Sequence, residues 1–155
     1  MKAIKAIYTL LTQSTEVTAT VYPTRVLEGA ALPAIVLNQI SRTANDTKKE
    51  YSKSDVSRIQ IDCVGNTPTE AFDLAEAVRS AMSAEVPAIY QGVLVQNIAF
   101  DDEQIIMDDT YSTQGATMVS QDYLIMYANA TFSIGSLLTE QGDFLLLESS
   151  DEILL

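Results

Sequence analysis

The sequence predicts an α+β domain: an antiparallel or mixed sheet of about four to five strands with two helices on one face, followed by a β-rich C-terminal arm. Three observations predict this class. Residues 55–84 have the pattern of a buried strand that leads into an amphipathic helix, residues 2–13 have helical apolar spacing, and residues 92–128 contain further strand-like alternation. Helices and strands in this order are typical of a sheet that is covered on one face.

The stretch 55–84 is the centre of the predicted fold. Apolar side chains alternate with polar ones at Ile59, Ile61 and Cys63, which is the period of a strand with one buried face. Thr67 then suits the N-cap of a helix, and Glu70 three residues later completes a capping box. The helix that follows carries one apolar stripe, so we expect it to lie on the sheet face that carries the two isoleucines.

The N-terminal part of the chain supplies one helix, an extended segment and a strand. Residues 2–13 place apolar side chains at i, i+3, i+4 and i+7 and predict a short helix. Residues 21–23 are extended, because the residue before a proline avoids the α region. Residues 34–40 predict a strand, and the polar stretch 42–54 predicts the long loop of a hairpin.

The chain after the second helix predicts two or three more strands. Residues 92–100 alternate, with Val93 and Val95 on one face and Leu94, Ile98 and Phe100 on the other. The acidic residues 101–103 predict a turn, and residues 104–107 begin the return strand. Residues 116–128 predict the longest strand. Both faces of that strand are apolar, which is typical of a central strand or of one covered by a partner.

The C-terminal part differs from the rest, so we expect residues 1–128 to form the α+β domain and residues 129–155 a Leu-rich acidic extension. The extension contains a nine-residue repeat, LLTEQGDFL (137–145) followed by LLESSDEIL (146–154). Alone it could not bury its leucines, so it packs on its own domain or on a neighbouring subunit, and we favour the neighbour. The residues expected to make these contacts are Leu137, Leu138, Phe144, Leu145, Leu146, Ile153 and Leu154.

The residue types that are present argue against an enzyme. The chain has no histidine, which removes histidine-based nucleophile pairs, metal ligands and acid–base catalysis. Cys63 lies in the predicted strand, so we interpret it as a buried structural thiol rather than a nucleophile. We therefore expect no catalytic residue, no cofactor and no metal site. No apolar run reaches 18 residues, so the sequence predicts no membrane span.

Charge is distributed unevenly along the chain. Residues 1–79 hold all nine Lys+Arg and nine Asp+Glu, whereas residues 80–155 hold twelve acidic residues and no basic one, which gives the net charge of −12. Such an acidic half argues against tight binding of nucleic acid. A basic loop in one subunit would instead complement acidic stretches in another. The predicted subunit-interface residues are Arg42, Lys48, Lys49, Lys53, Asp101, Asp102, Glu103, Asp108 and Asp109.

Six segments and their order carry a family resemblance. They are KAIKAIYTLL, VYPTRV, LPAIVLNQIS, RIQIDCVGNTPTEAFDLAEAVRSAM, VLVQNIAFDDEQIIMDD and SQDYLIMYA. From residue 1 to about 128 the chain resembles the tail terminator (tail completion) proteins of long-tailed bacteriophages. The resemblance implies a virion protein of the tail or neck, assembled in the host cytoplasm. It implies a hexameric ring that caps the tail-tube protein, stops tube growth and docks the head connector, while DNA passes through the bore without specific binding.

Two other functions stay open at this point. The first is another structural role, as a neck or connector component or as the tail-tube protein itself. The second belongs to a different class, a small binding module whose acidic face mimics DNA, which the net charge of −12 also fits.

Overall fold

The computed structural model describes residues 2–25, 30–44, 54–108 and 116–128. Two helices and six strands lie within these residues, which confirms the predicted α+β class. They are α1 (Lys2–Gln13), β1 (Thr20–Pro23), β2 (Ala34–Ala44), β3 (Ser54–Gly65), α2 (Pro68–Met82), β4 (Ala88–Tyr90), β5 (Val93–Asp108) and β6 (Ala116–Ala128).

The strands form one mixed sheet in the order β1-β2-β3-β6-β5-β4. β1 and β2 are parallel, and all other neighbours are antiparallel. The sheet has more strands than the four to five predicted, because the extended segment at residues 21–23 pairs as β1 and the short β4 pairs with β5. Three residues are too few to show a period, so β4 had no signal in the sequence. β6 lies between β3 and β5, as its two apolar faces indicated.

Both helices pack on the same face of the sheet, which we call the helix-side face. Ile59 and Ile61 of β3 lie in one buried cluster with Leu74 and Val78 of α2 and with Ile7 of α1. The predicted position of α2 is therefore confirmed. Burial of each of these side chains stabilises the fold by about 1.5–3 kcal/mol.

The start of α2 has the predicted cap, with one difference. Thr67 Oγ1 accepts a hydrogen bond from the Glu70 N–H at 3.2 Å. The Glu70 carboxylate accepts from the backbone N–H of Asn66 at 2.9 Å, one residue before the cap, instead of from the N–H of the cap itself. Gly65 ends β3 beside this turn, and a Cβ there would lie 2.6 Å from the Ala71 nitrogen. A glycine is therefore required where β3 meets the first turn of α2.

The turn predicted at residues 101–103 is wrong. β5 is one continuous strand, and the acidic residues stay within it. A register shift against β6 between Phe100 and Asp102 marks a β-bulge at this point. A bulge accommodates one extra residue without ending the strand, so the charged run bends the ladder instead of reversing the chain.

A second bulge, near the start of β5, overturns the predicted division of its faces. The register against β6 shifts between Val95 and Asn97. Ile98 and Phe100 therefore lie on the helix-side face together with Val95, and Ile98 packs against the core, whereas strict alternation predicted the opposite face for both.

The hairpin predicted around residues 42–54 is confirmed as the antiparallel pair of β2 and β3. β2 continues to Ala44, so its connection to Ser54 is shorter than predicted. Residues 45–53 and the whole extension 129–155 lie outside the described residues. The division into two domains, the nine-residue repeat and its β-rich character therefore stay predictions.

Candidate functional site

The sheet face opposite the helices is polar, and we call it the polar face. Its members follow from the strand register, because alternate residues of paired strands lie on the same side. Neither α1 nor α2 packs on it. Across its centre lie Asn38 from β2, Arg58, Gln60 and Asp62 from β3, Ser120 and Asp122 from β6, and Asp102 and Gln104 from β5.

Asp62 is the buried acid of the polar face, with 8 % of its surface exposed. Its carboxylate accepts hydrogen bonds from Asn38 Nδ2 at 3.1 Å, Gln60 Nε2 at 2.9 Å and Ser120 Oγ at 2.5 Å. These donors come from β2, β3 and β6. The network therefore ties three strands together and satisfies a charge that would be costly to bury unpaired.

Arg58 lies among the carboxylates of the polar face. It forms an ion pair with Asp101 and lies 3.6 Å from the Asp122 carboxylate. Burial raises the pKa of Asp122, Asp101 and Asp102 raise it further together with Asp62, and Arg58 opposes the shift. Because four carboxylates face one guanidinium among the described residues, the centre of the polar face is negative.

The shape of the polar face favours a large partner over a small ligand. A hollow of about 80 Å³ lies between Gln60, Asp102, Gln104, Ser120 and Asp122. Pockets that enclose small molecules typically measure roughly 300–1,000 Å³. A shallow, charged sheet surface is better suited to contact with a macromolecule.

The predicted basic residues are only partly placed by the structure. Arg42 lies near the end of β2 and forms an ion pair with the buried carboxylate of Asp55 on β3. Its charge is therefore already compensated within its own subunit. Lys48, Lys49 and Lys53 lie outside the described residues.

The predicted acidic residues lie along β5. Asp101, Asp102 and Glu103 are exposed at the bulge between Phe100 and Asp102, and Asp108 is the last residue of the strand. Asp101 is paired with Arg58, and Asp102 accepts from the Glu103 N–H at 2.9 Å. Outside the described residues lie Asp109 and the arm residues Leu137, Leu138, Phe144, Leu145, Leu146, Ile153 and Leu154.

A buried polar cluster under α2 was not predicted. Gln121 is 1 % exposed, and its Nε2 donates to the Ala75 carbonyl at 3.1 Å and to the Glu103 carboxylate at 2.8 Å. Its Oε1 accepts from the Tyr123 hydroxyl at 2.9 Å. The signal was present, because Gln121 precedes Tyr123 by two residues and so shares its face of the strand.

Aromatic contacts extend this cluster to the surface. The Arg79 guanidinium lies 3.4 Å above the centre of the Phe100 ring. That ring in turn meets Tyr123 edge-on, with centroids 5.5 Å apart and planes at 76°. The first contact holds the C-terminal half of α2 against the bulged part of β5, and the second joins β5 to β6.

Cys63 is fully buried, and burial raises the pKa of its thiol, so the interpretation as a structural thiol is confirmed. Within the part of the chain that the structure describes, no three His, Cys, Asp or Glu residues are grouped as metal ligands would be. In the same residues, no helix is long and apolar enough to span a membrane.

The fold and its polar face define a structural or binding domain that acts through extended surfaces. The family model described as "Tail completion protein gp17" matches residues 5–127, and the chain belongs to this family. It is a structural protein of a phage tail and hence a component of the virion. A comparison with curated proteins gave no match.

Proposed function

We propose that this protein forms a ring, a homo-hexamer, that caps the phage tail tube, stops its elongation and joins it to the head connector. The observation that carries the proposal is the family match, which covers every helix and strand from α1 to β6 almost completely. The protein acts as a tail component without catalysis or a cofactor. It is assembled in the host cytoplasm, away from the membrane, before it joins the virion.

The polar face supports a place for DNA in this ring. Its centre carries four carboxylates and one arginine among the described residues. A surface of that sign repels the phosphate backbone, so DNA would slide past it without binding. We therefore propose that the polar face lines the bore of the ring.

Contacts between subunits need two different complementary patches, because a ring is built from heterologous interfaces. The lysines between β2 and β3 and the acidic residues of β5 supply opposite charges. Since Arg42 and Asp101 are each paired within the subunit, Lys48 and Lys49 carry more of this proposed contact. The leucines of residues 129–155 would add an apolar contact with the neighbouring subunit.

Reversal of these lysine charges tests the interface. We expect the double variant Lys48→Glu, Lys49→Glu to lose the rings seen by negative-stain microscopy, because it places like charges on the two patches. Lys2→Glu, on α1, is the control and should keep its rings. Unchanged rings in the double variant would remove this segment from the interface.

The tube-capping role is tested by adding the protein to its tail-tube protein during polymerisation. Tubes should become shorter as more protein is added, and each tube should carry one ring at one end. Co-polymerisation along the tube would instead indicate a tail-tube subunit. Unchanged tube length and bare ends would contradict capping.

A further inference from the structure

Within the residues that the structure describes, the outer edge of β5 is unpaired over most of its length. β4 pairs with this edge only at Val93–Val95, while β6 occupies the opposite edge as far as Asp108. Past β4, none of the described strands pairs with the outer edge. A strand edge of this kind presents unpaired N–H and C=O groups that can pair with another chain.

Apolar side chains make this open edge a site for association. Ile105 is 56 % exposed and Ile106 is 37 % exposed, and the two point to opposite faces of the strand. The bulge and carboxylates at residues 101–103 protect the middle of the edge, whereas residues 104–106 carry no charge. The unprotected part is therefore a short, specific stretch.

At the opposite end of the sheet, β1 has a second edge with which no other described strand pairs. The register across the sheet relates the two edges. Tyr22 pairs with Val36, Val36 with Asp62, Asp62 with Ser120, and Ser120 with Gln104. β1 therefore lies at the same level of the sheet as residues 103–106 of β5, and the two strands run in opposite directions.

These relations fit a rotational ring. Rotation about an axis roughly parallel to the strands keeps every residue near its own height, so edges at the same level of the sheet can meet without a shift along the strand. The β1 edge of one subunit and the β5 edge of the next meet this condition and would pair antiparallel. The two patches differ, so the contact is heterologous and can close a ring.

Charge also favours this pairing over others. Pro23, the last residue of β1, is level with Glu103 of β5 in the sheet register, and the exposed Arg25 follows two residues later, on the side of Asp101 and Asp102. A second β5 would instead bring its own carboxylates against these residues, and the extension 129–155 contributes only acidic charges. Like charges on adjacent strands are destabilising, so both alternatives are disfavoured.

We propose that β1 of one subunit adds as a strand to the open edge of β5 in the next copy of this chain, next to residues 103–106. The proposal rests on the proposed ring and specifies its backbone contact. In this arrangement Val21 comes level with Ile105 on the helix-side face, and Tyr22 with Gln104 on the polar face. Arg25 approaches Asp102, since Asp101 is already paired with Arg58, and this contact is in addition to any that the lysines make.

A disulfide between subunits tests the pairing directly. In the double variant Tyr22→Cys, Gln104→Cys the two cysteines lie four strand spacings apart within one chain, roughly 19 Å, which is too far for an intrachain bond. Across the proposed interface they are neighbours. The native Cys63 is fully buried and should not react. We expect mild oxidation to give a ladder of covalent multimers up to six chains on a non-reducing gel.

The matched control is Tyr22→Cys, Thr43→Cys, whose second cysteine is exposed near the far end of β2. It should stay monomeric on the same gel. A ladder from the control but not from the Gln104 variant would overturn the proposed register. If neither variant gives a ladder while the wild-type mass is that of a ring, the strand pairing is overturned but the ring is not. A wild-type mass of one chain would overturn both.

Exposed isoleucines provide a second, independent test. Ile105→Lys puts a charge into the proposed contact, and Ile40→Lys changes a similarly exposed residue, 52 % against 56 %, on β2. We expect Ile105→Lys to weaken assembly at least tenfold in light scattering and Ile40→Lys to leave it unchanged, with both circular dichroism spectra as in the wild type. Equal assembly of the two variants would contradict the proposal.

Discussion

Asp122 is a carboxylate of the polar face whose ionisation lowers the stability of the protein. Burial raises the pKa of this carboxyl, and three neighbouring carboxylates add to the shift. Because the pKa is raised in the folded state, ionisation of Asp122 destabilises the protein. This cost is absent below the ordinary value of 3.8, where the carboxyl is protonated both folded and unfolded, and it grows as the pH rises. The negative charge of Asp122 on the polar face therefore lowers the free energy of unfolding.

Asp122→Asn should increase the free energy of unfolding at pH 7, because it removes the ionised group. The gain should disappear as the pH falls below 3.8, where the wild-type carboxyl is protonated both folded and unfolded. Urea denaturation at the two pH values measures this difference. Asp73→Asn, at an exposed position on α2, is the matched control. A loss of stability at pH 7, or a gain independent of pH, would contradict the account.

Gln121 is the residue on which the buried cluster depends. Gln121→Leu should destabilise the protein by about 1–3 kcal/mol, because it leaves the buried Tyr123 hydroxyl without its acceptor. Gln13→Leu is the control: this glutamine is exposed at the end of α1, and its replacement should change stability by less than about 0.5 kcal/mol. Equal effects in urea denaturation would show that the cluster has no structural role.

The sequence predicted the environment of a residue only where that environment depends on its neighbours in the chain. The period of β3 was enough to place Cys63 inside, since its neighbours on the same face are apolar. The pairing of Arg42 with Asp55 depends on how β2 and β3 align, and a bulge after Gln39 shifts that alignment. Partners across strands are set by register, which a single sequence does not specify.

At the scale of elements, α2 and its cap were predictable because capping is local. The box residues lie within four positions of each other, so the sequence contains the whole interaction. β5 was predicted wrongly because an acidic triplet is typical of turns. Its pairing with β6 on one side and two bulges keep the triplet extended, and these contacts involve residues far away in the chain.

Gly65→Ala tests the junction of β3 and α2. The added methyl would come within 2.6 Å of the Ala71 nitrogen, so the helix must shift, and we expect a loss of about 1–3 kcal/mol. The equilibrium midpoint in urea measures it. Asn66→Ala, at the next position, is exposed and should cost less. Full stability of Gly65→Ala would show that this approach is looser than the structure indicates.

At the scale of the whole molecule, the sequence predicted the fold class and the family but not the level at which sheet edges meet. Family membership follows from ordered local segments. The equal height of β1 and residues 103–106 follows from four strand registers added across the sheet. The uneven distribution of charge along the sequence indicated contacts between copies of the chain. The structure shows which of these charges are already paired within one subunit.

The mass of the wild-type protein in solution shows whether it forms a ring, on which the roles of the polar face and of both sheet edges depend. Light scattering after size exclusion should give six times the chain mass of 16.9 kDa, about 101 kDa, and this mass should stay constant on dilution. A mass of one chain at high protein concentration would contradict the account.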